Sequence, residues 1–293
     1  MEAYKHLEKQ CETVTHRDIL QQVSLFGGEA KSLPYLLAQM NLLLHGLESP
    51  QIDSFNSLRN PLREIGDKDR VDIILTNPPF GGEEEKGIQN NFPADKQTSE
   101  TALLFLQLIM RLLKRQPKPG RAGVVVPNGT LFGDGVCARI KEDLLKEFNL
   151  HTIVRLPNGV FAPYTSIPTN LLFFERGSTK EIWYYEQPLP VDRKSYTKTK
   201  PLQYEEFADC LAWWKNREES ERAWKVAVNE VLKYDEKGNL ISVNLDVKNP
   251  NGKQDFEHLP PEQLVGDILA KEQRIIEILG EIKAVLGQPY SVE

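Results

Sequence analysis

Apolar positions along the chain follow two periods. Short runs dense in Val, Ile, Leu and Phe occur at Val23 to Phe26, Val71 to Leu75, Ala122 to Val126, Thr152 to Leu156, Asn170 to Glu175 and Glu181 to Tyr185. Between the first five lie stretches of helical period at 32–45, 100–115 and 134–148. In the second stretch Leu103, Leu106, Ile109, Met110 and Leu113 share one face, and in the third Ile140, Leu144, Leu145 and Phe148 do so. Near-continuously apolar strands alternating with helices predict an α/β domain with a mostly parallel sheet covered on both faces. Residues 150–175 break the rhythm, because two strands are joined there by a Pro- and Gly-rich loop without a helix. A hairpin follows, and with it one antiparallel strand.

The remainder of the chain reads differently. Residues 187–258 are polar and irregular, with a basic stretch (Arg193, Lys194, Tyr196, Lys198, Lys200) and a Trp-containing helix (Trp213, Trp214, Trp224). They are expected to form an appendage to a catalytic domain at 1–186. In the tail, 259–288, Val265, Ile268, Glu272, Ile275, Leu279, Ile282 and Leu286 alternate at spacings of three and four, a heptad seam with one charged interruption, closed by Gly287 and Pro289. Such a seam packs either on its own domain or on a partner helix.

A chain of 293 residues with 40% hydrophobic residues is long enough to bury a full core. The longest apolar segment, Leu103 to Leu113, is too short to span a bilayer and is interrupted by Gln107 and Arg111, so no membrane association is expected. Cys11, Cys137 and Cys210 lie far apart, which favours neither a disulfide framework nor a zinc site and suits a cytoplasmic setting. His6, His16, His45, His151 and His258 are scattered, and no metal is expected. A net charge of -6 argues against unaided grip on nucleic acid, since Lys and Arg supply most non-specific affinity for phosphate.

The chemistry concentrates in Val71-Asp72-Ile73-Ile74-Leu75-Thr76-Asn77-Pro78-Pro79-Phe80-Gly81-Gly82. Pro-Pro and Gly-Gly end strands, and on that reading the stretch is a turn. Proline also fixes its own backbone and restricts the residue before it, so Asn77 and Pro78 are held with their oxygens rigidly placed. Ligands of open parallel sheets bind at the carboxyl ends of the strands, where Asn77 sits. Glu29, after Val23-Ser24-Leu25-Phe26-Gly27-Gly28, occupies a similar place, and an acidic residue there commonly bonds the hydroxyls of a ribose. The other reading of Glu29 is a solvated surface carboxylate. The Asn77 side-chain oxygen and the Pro78 carbonyl are two acceptors, matched to the two hydrogens of an exocyclic amine such as adenine N6. Phe80 would stack on the base for roughly 1–3 kcal/mol, offsetting part of the few kcal/mol that base extrusion costs.

Asn77-Pro78-Pro79-Phe80 resembles the catalytic motif of S-adenosylmethionine-dependent amino-methyltransferases in its adenine-N6 form. Gly81-Gly82, Leu37 to Gly46 upstream, and Leu156-Pro157-Asn158-Gly159-Val160-Phe161 with Thr169 to Phe174 downstream narrow the likeness to the modification (methyltransferase) subunit of type I restriction-modification systems. The likeness covers about residues 1–176 and, loosely, the tail. It implies a Rossmann-like methyltransferase sheet, S-adenosyl-L-methionine as cofactor, and site-specific transfer of methyl to a flipped adenine in double-stranded DNA. Glu29 would take the cofactor ribose and Asn56, in Phe55-Asn56-Ser57-Leu58, the cofactor adenine. Asn77, bordering cofactor and base, and Pro78 would orient the target amine on the rigid Pro78-Pro79 turn. Phe80 would cover one face of the base and Phe161 the other, unless Phe161 is only an apolar loop anchor. A specificity subunit, docked on the heptad helix, would read DNA sequence, and a restriction nuclease subunit could join.

One departure stands out. The family's glycine-rich cofactor loop should precede Glu29 and is not found, and Gly27-Gly28 lies at the end of the next strand. The sheet is therefore expected to lack its first, central strand, the chain to be N-terminally truncated, and residues 1–293 alone to be weak in cofactor binding and catalysis. Asn-Pro-Pro-aromatic also serves methyltransferases acting on RNA guanine or protein glutamine, and a catalytically dead partner-docking subunit fits the missing loop. A nucleotide-binding dehydrogenase is disfavoured, because no G-x-G-x-x-G follows a strand.

Overall fold

The computed structural model describes residues 1–191, 193–251 and 261–286. They fall into two units, Met1–Pro250 and Asn251–Glu293. The first unit opens with α1 (Glu2–Glu8), α2 (Val14–Val23), β1 (Phe26–Gly28), α3 (Ser32–Leu44), β2 (Gln51–Asp53) and β3 (Ile73–Thr76). Then come α4 (Lys86–Gln89), α5 (Thr101–Leu112), β4 (Arg121–Pro127), α6 (Gly129–Phe132), α7 (Val136–Glu147), β5 (Phe148–Arg155) and β6 (Thr169–Arg176). It closes with β7 (Glu181–Glu186), α8 (Ala208–Lys215), β8 (Ala223–Ala227), α9 (Val228–Val231), β9 (Leu232–Tyr234) and β10 (Leu240–Val243).

The main sheet has the order β3-β4-β6-β5-β7-β8. Strands β3 and β4 are parallel, as are β5 and β7, while β6 runs antiparallel to both β4 and β5. Strand β6 is the hairpin strand that the helix-free loop predicts. A second antiparallel strand, β8, pairs with β7. Residues 187–250, read from composition as an irregular appendage, thus complete the sheet, and Trp224, Val226, Val243 and Leu245 enter the main core. Burial of β8 alternates, with Trp224 and Val226 inside and Lys225 out, a pattern too short to stand out among polar neighbours. The 252–258 part of that expected region lies outside the described residues.

Alternation builds the core. Ala122, Val124 and Val126 of β4 point to one face with Ile153, Leu172 and Phe174, where α5 and α7 bring Leu106, Ile109, Ile140 and Leu144. Helix α5 ends where three backbone carbonyls find guanidinium donors. Arg70 Nη1 donates to the Arg111 and Leu113 carbonyls at 2.5 and 2.9 Å, and Arg176 Nη2 to that of Met110 at 2.9 Å. On the opposite face, α8 covers Val154, Tyr185 and Ala223.

Towards β3 that opposite face is bare. Ile73 and Leu75 are 51% and 69% exposed, and an open depression of about 350 Å³ is lined by Leu75, Asn77, Gly123, Val125 and Phe173. Among the described residues β3 pairs with no strand but β4. Strands β1 and β2 form a separate, parallel two-stranded sheet. Val23, expected to open the first strand, instead closes α2, whose Thr13 cap accepts the His16 N–H at 3.1 Å; the strand starts at Phe26. Helix α3 forms where its apolar spacing predicts, but it is apolar nearly all round and has no buried residue, with Leu33, Leu36, Leu37, Met40 and Leu43 exposed.

In the second unit α10 spans Pro261–Leu286, opened by a proline at a position that suits it. Of the expected seam, Ile275, Leu279 and Ile282 are exposed at 56%, 58% and 49%, and Glu272 is exposed too. The side chains of Val265, Ile268 and Leu286, together with Gly287 and Pro289, lie outside the described residues.

Candidate active site

Thr76 closes β3 in register with Val124 of β4, and the chain leaves the sheet through Asn77-Pro78-Pro79. Pro78 is buried and anchors the turn, whereas Asn77 is exposed and its amide engages no protein group among the described residues. A buried anchor beside a free amide leaves that amide available to a ligand. Phe80, half-buried, meets Phe161 edge to face, with centroids 4.9 Å apart and planes at 70°. Phe161 comes from the loop between β5 and β6, the one helix-free connection noted in the sequence. Its carbonyl accepts from the Tyr164 and Thr165 N–H groups at 2.9 and 3.2 Å. Gly159, two residues earlier, has φ +80°, and a side chain there would meet the Tyr196 carbonyl at 2.5 Å. Only glycine fits. Tyr196 is itself buried and its hydroxyl donates to Glu206.

The second half of the site lies at the ends of β1 and β2. The Glu29 N–H donates to the Asp53 carbonyl at 2.9 Å, which continues the pairing of the two strands. Glu29 Oε1 accepts from the Lys31 N–H at 2.9 Å, leaving the other carboxylate oxygen without a protein partner among the described residues. Gly28 lets the next loop close in, since a Cβ there would sit 2.5 Å from Ser57 Oγ. Asn56, adjacent, turns its Oδ1 onto the Leu58 N–H at 2.9 Å and offers Nδ2 to Glu84 Oε2 at 3.5 Å. Asp53 pairs with Arg59 at 2.6 Å, and that hydrogen bond holds its carboxyl below the usual carboxylate range.

Glu84 joins the two halves. It follows the Phe80-Gly81-Gly82 turn, accepts from Thr101 Oγ1 at 3.4 Å as well as from Asn56, and its carbonyl accepts from Gln89 Nε2 at 2.6 Å. Sequence reasoning passed over it, because Glu83-Glu84-Glu85 reads as a solvated acidic run. The structure therefore brings Asn77, Phe80 and Phe161 together, sets Glu29 beside the loop of Asn56, and links Asn56 to the turn after Phe80. It turns the Asn56 oxygen inward, where the sequence expectation had the residue facing a cofactor base. No group of three or more His, Cys, Asp or Glu is placed to hold a metal among the described residues.

A largely parallel α/β sheet with Asn-Pro-Pro-Phe at a strand's carboxyl end and an acidic acceptor at another is the arrangement of a Rossmann-like methyltransferase. The comparisons narrow the class. The N-6 DNA methylase family matches residues 1–255, and the chain belongs to that family. It is 47% identical over 284 residues to the type I restriction enzyme EcoEI methylase subunit of Escherichia coli, covering 94% of this chain and 55% of that protein. A Vibrio vulnificus YJ016 structure, assigned as a modification subunit of a type I restriction enzyme, superposes with a TM-score of 0.84 at 68% identity, over 88% of this chain and 54% of that one. A further structure, from work on assembly of the type I restriction-modification system, gives a TM-score of 0.79 at 41% identity, over 97% and 59% of the two chains. The chain spans about half the length of curated relatives it matches along most of its own length.

Proposed function

We propose that the chain is the methyltransferase part of a type I restriction-modification system, transferring methyl from S-adenosylmethionine to N6 of an adenine flipped out of duplex DNA. The observation that carries this reading is the free Asn77 amide at the end of β3, beside a Phe80–Phe161 pair. The family and the names of its relatives favour DNA adenine over RNA guanine or protein glutamine as the acceptor.

Glu29 suits the cofactor ribose, since one carboxylate oxygen remains open at a strand's carboxyl end. Asn56, whose oxygen is taken by the Leu58 N–H and whose Nδ2 donates to Glu84, would border the cofactor through Nδ2 rather than Oδ1. When bound, S-adenosylmethionine supplies an electrophilic methyl on sulfur. Asn77 Oδ1 and the Pro78 carbonyl accept the two N6 hydrogens and draw the nitrogen lone pair out of ring conjugation. The surplus N6 proton left after methylation would stay hydrogen-bonded to these two oxygens until water takes it. Phe80 and Phe161 hold the base between them. Ile275, Leu279 and Ile282 of α10 form an apolar strip for the helices of a specificity subunit, which selects the sequence and adds the positive charge this chain lacks, and a nuclease subunit joins the same assembly. The cytoplasm is the matching compartment.

The test is transfer of labelled methyl to unmethylated genomic DNA by the complete protein with its specificity partner, beside Asn77→Ala. Loss of one oriented acceptor should lower the single-turnover rate by about 10²- to 10³-fold while cofactor affinity stays within a few-fold. Full activity of Asn77→Ala, or label in RNA or protein instead of DNA, would reject the reading. Partner binding without any transfer by the native assembly would make it a docking subunit.

A further inference from the structure

The loop carrying Phe161 is held at both legs by one carboxylate that lies far along the chain. Strands β5 and β6 enter and leave the loop at Arg155 and Asn170, which face each other in register. Arg155 Nη1 donates to Asp246 Oδ1 at 2.7 Å and to the Val247 carbonyl at 3.0 Å. Asn170, buried, donates through Nδ2 to Asn128 Oδ1 at 3.0 Å, and Asn128 Nδ2 donates to Asp246 Oδ2 at 3.5 Å. The Asn128 N–H also donates to the Pro168 carbonyl, the last residue of the loop, at 2.8 Å. Asp246 thus connects the loop's two roots through its two oxygens.

Asp246 is itself fixed. Its N–H donates to Asn244 Oδ1 at 2.9 Å, the neighbouring Leu245 N–H donates to the Leu131 carbonyl at 2.8 Å, and the Leu245 carbonyl accepts from the buried Tyr184 hydroxyl at 3.0 Å. The Arg155–Asp246 pair is about three-quarters shielded from water, where a charge-assisted bond holds geometry better than at an open surface. Between the roots the loop is tied down at its start, where Leu156 packs against the Val154 and Tyr185 cluster and the Asn158 carbonyl accepts from the Tyr196 N–H at 3.2 Å.

We infer that Asp246, through Arg155 and Asn128, is a positioning residue that sets Phe161 opposite Phe80. The placement of the loop rests on contacts alone; its effect on methyl transfer rests on the function proposed above. Asp246 lies in a segment that supplies no residue to the site directly. Its part is to fix the roots, so that the ring swings within a small range instead of drifting with the loop. Displacements of about 1 Å in such a holder can cost up to about 100-fold in rate.

The experiment places 4-fluorophenylalanine at position 161 of the complete chain and records its fluorine resonance, which responds to the neighbouring Phe80 ring. Phe80→Ala defines the resonance without that contact. Asp246→Ala and Arg155→Gln should move the signal towards the Phe80→Ala value, and Asp246→Asn, which retains an acceptor for Arg155, should move it less. Thermal melting identifies any variant that fails to fold, and Asp246→Asn and Arg155→Gln then decide the matter. A resonance unchanged in the folded variants, or unchanged by Phe80→Ala, overturns the inference. In the assembly with its specificity partner, the same variants should lose kcat about 10- to 100-fold with cofactor affinity unchanged. A shifted resonance with kcat intact overturns the positioning role. A native protein that transfers no methyl, yet shows the shifts, refutes the proposed function and leaves the loop clamp standing.

Discussion

The edge contact between Phe80 and Phe161 makes an arithmetic prediction. A base sandwiched between two rings needs their planes about 7 Å apart, twice the roughly 3.5 Å of carbon contact, whereas the centroids lie 4.9 Å apart at a steep angle. The slot is therefore closed, and base entry breaks an aromatic pair worth about 1 kcal/mol. Each ring then regains about 2 kcal/mol by stacking on the base. Phe161→Ala loses that stacking but no longer has a contact to break, so DNA binding should weaken by only about 1 kcal/mol, near fivefold. Phe80→Ala should do the same. The double variant loses both stackings and recovers the contact once, a deficit of about 3 kcal/mol, which exceeds the sum of the singles by about 1 kcal/mol. The assay is titration of the assembled enzyme into a duplex with 2-aminopurine at the methylated position, once that position has been mapped by sequencing N6-methyladenine. Fluorescence reports extrusion and its midpoint the affinity. Strict additivity would mean an open slot in the free protein, and no effect of Phe161→Ala on either quantity would remove Phe161 from the base site.

Other outcomes follow from single contacts. Gly28→Ala puts a Cβ 2.5 Å from Ser57 Oγ but 3.8 Å from Ser57 Cβ, so calorimetry should show cofactor binding weakened several-fold and restored in the Gly28→Ala/Ser57→Ala double variant; no rescue would place the strain elsewhere. Burial, with Arg217 adding to it, holds the His151 imidazole at about 4 against an ordinary 6.5. Above pH 6.5 neither state is protonated; between 6.5 and about 4 only the unfolded chain takes the proton, so stability present above 6.5 is lost as pH falls through that window. The full shift corresponds to about 3 kcal/mol, and about half that for a partly exposed ring. Urea melts of His151→Gln should be flatter over this range than those of the native chain, and parallel losses would refute the assignment. Leu279→Asp, on an exposed side chain of α10, should leave the melting temperature unchanged and abolish capture by a specificity subunit; undiminished capture would move the docking surface off this helix.

Strands dense in Val, Leu and Phe were legible because both of their faces are apolar, which leaves a continuous run, as in Ala122 to Val126 and Leu171 to Phe174. The Asn77 turn was legible because proline fixes backbone locally. What the sequence hid was tertiary. Three-residue β2 offers no period at all, and β8 carries Lys225 on its open face within a polar stretch. Leu25-Phe26 looked like a strand joined to Val23, but the capped helix before it claims Val23. Glu84 and Asp246 gain their meaning from partners 28 and 91 residues away, Asn56 and Arg155, and no local pattern announces such pairings. Helix α3 shows the converse: its apolar spacing fixes that it is a helix, not that it finds a surface to cover.

Exposed apolar faces on α3 and β3 carry a practical consequence. Among the described residues β3 has a neighbour along one edge only, with Ile73 and Leu75 largely in solvent; such an edge is a template for other strands, and exposed apolar surface such as that of α3 drives association without regard to fit. Handled by itself at rising concentration, residues 1–293 will sediment as a distribution of self-associated species rather than one sharp boundary. Charged substitutions at Leu36 and Leu75 should sharpen that boundary without touching the fold's interior. Expression yield and storage, not only catalysis, are written into these two exposed apolar surfaces.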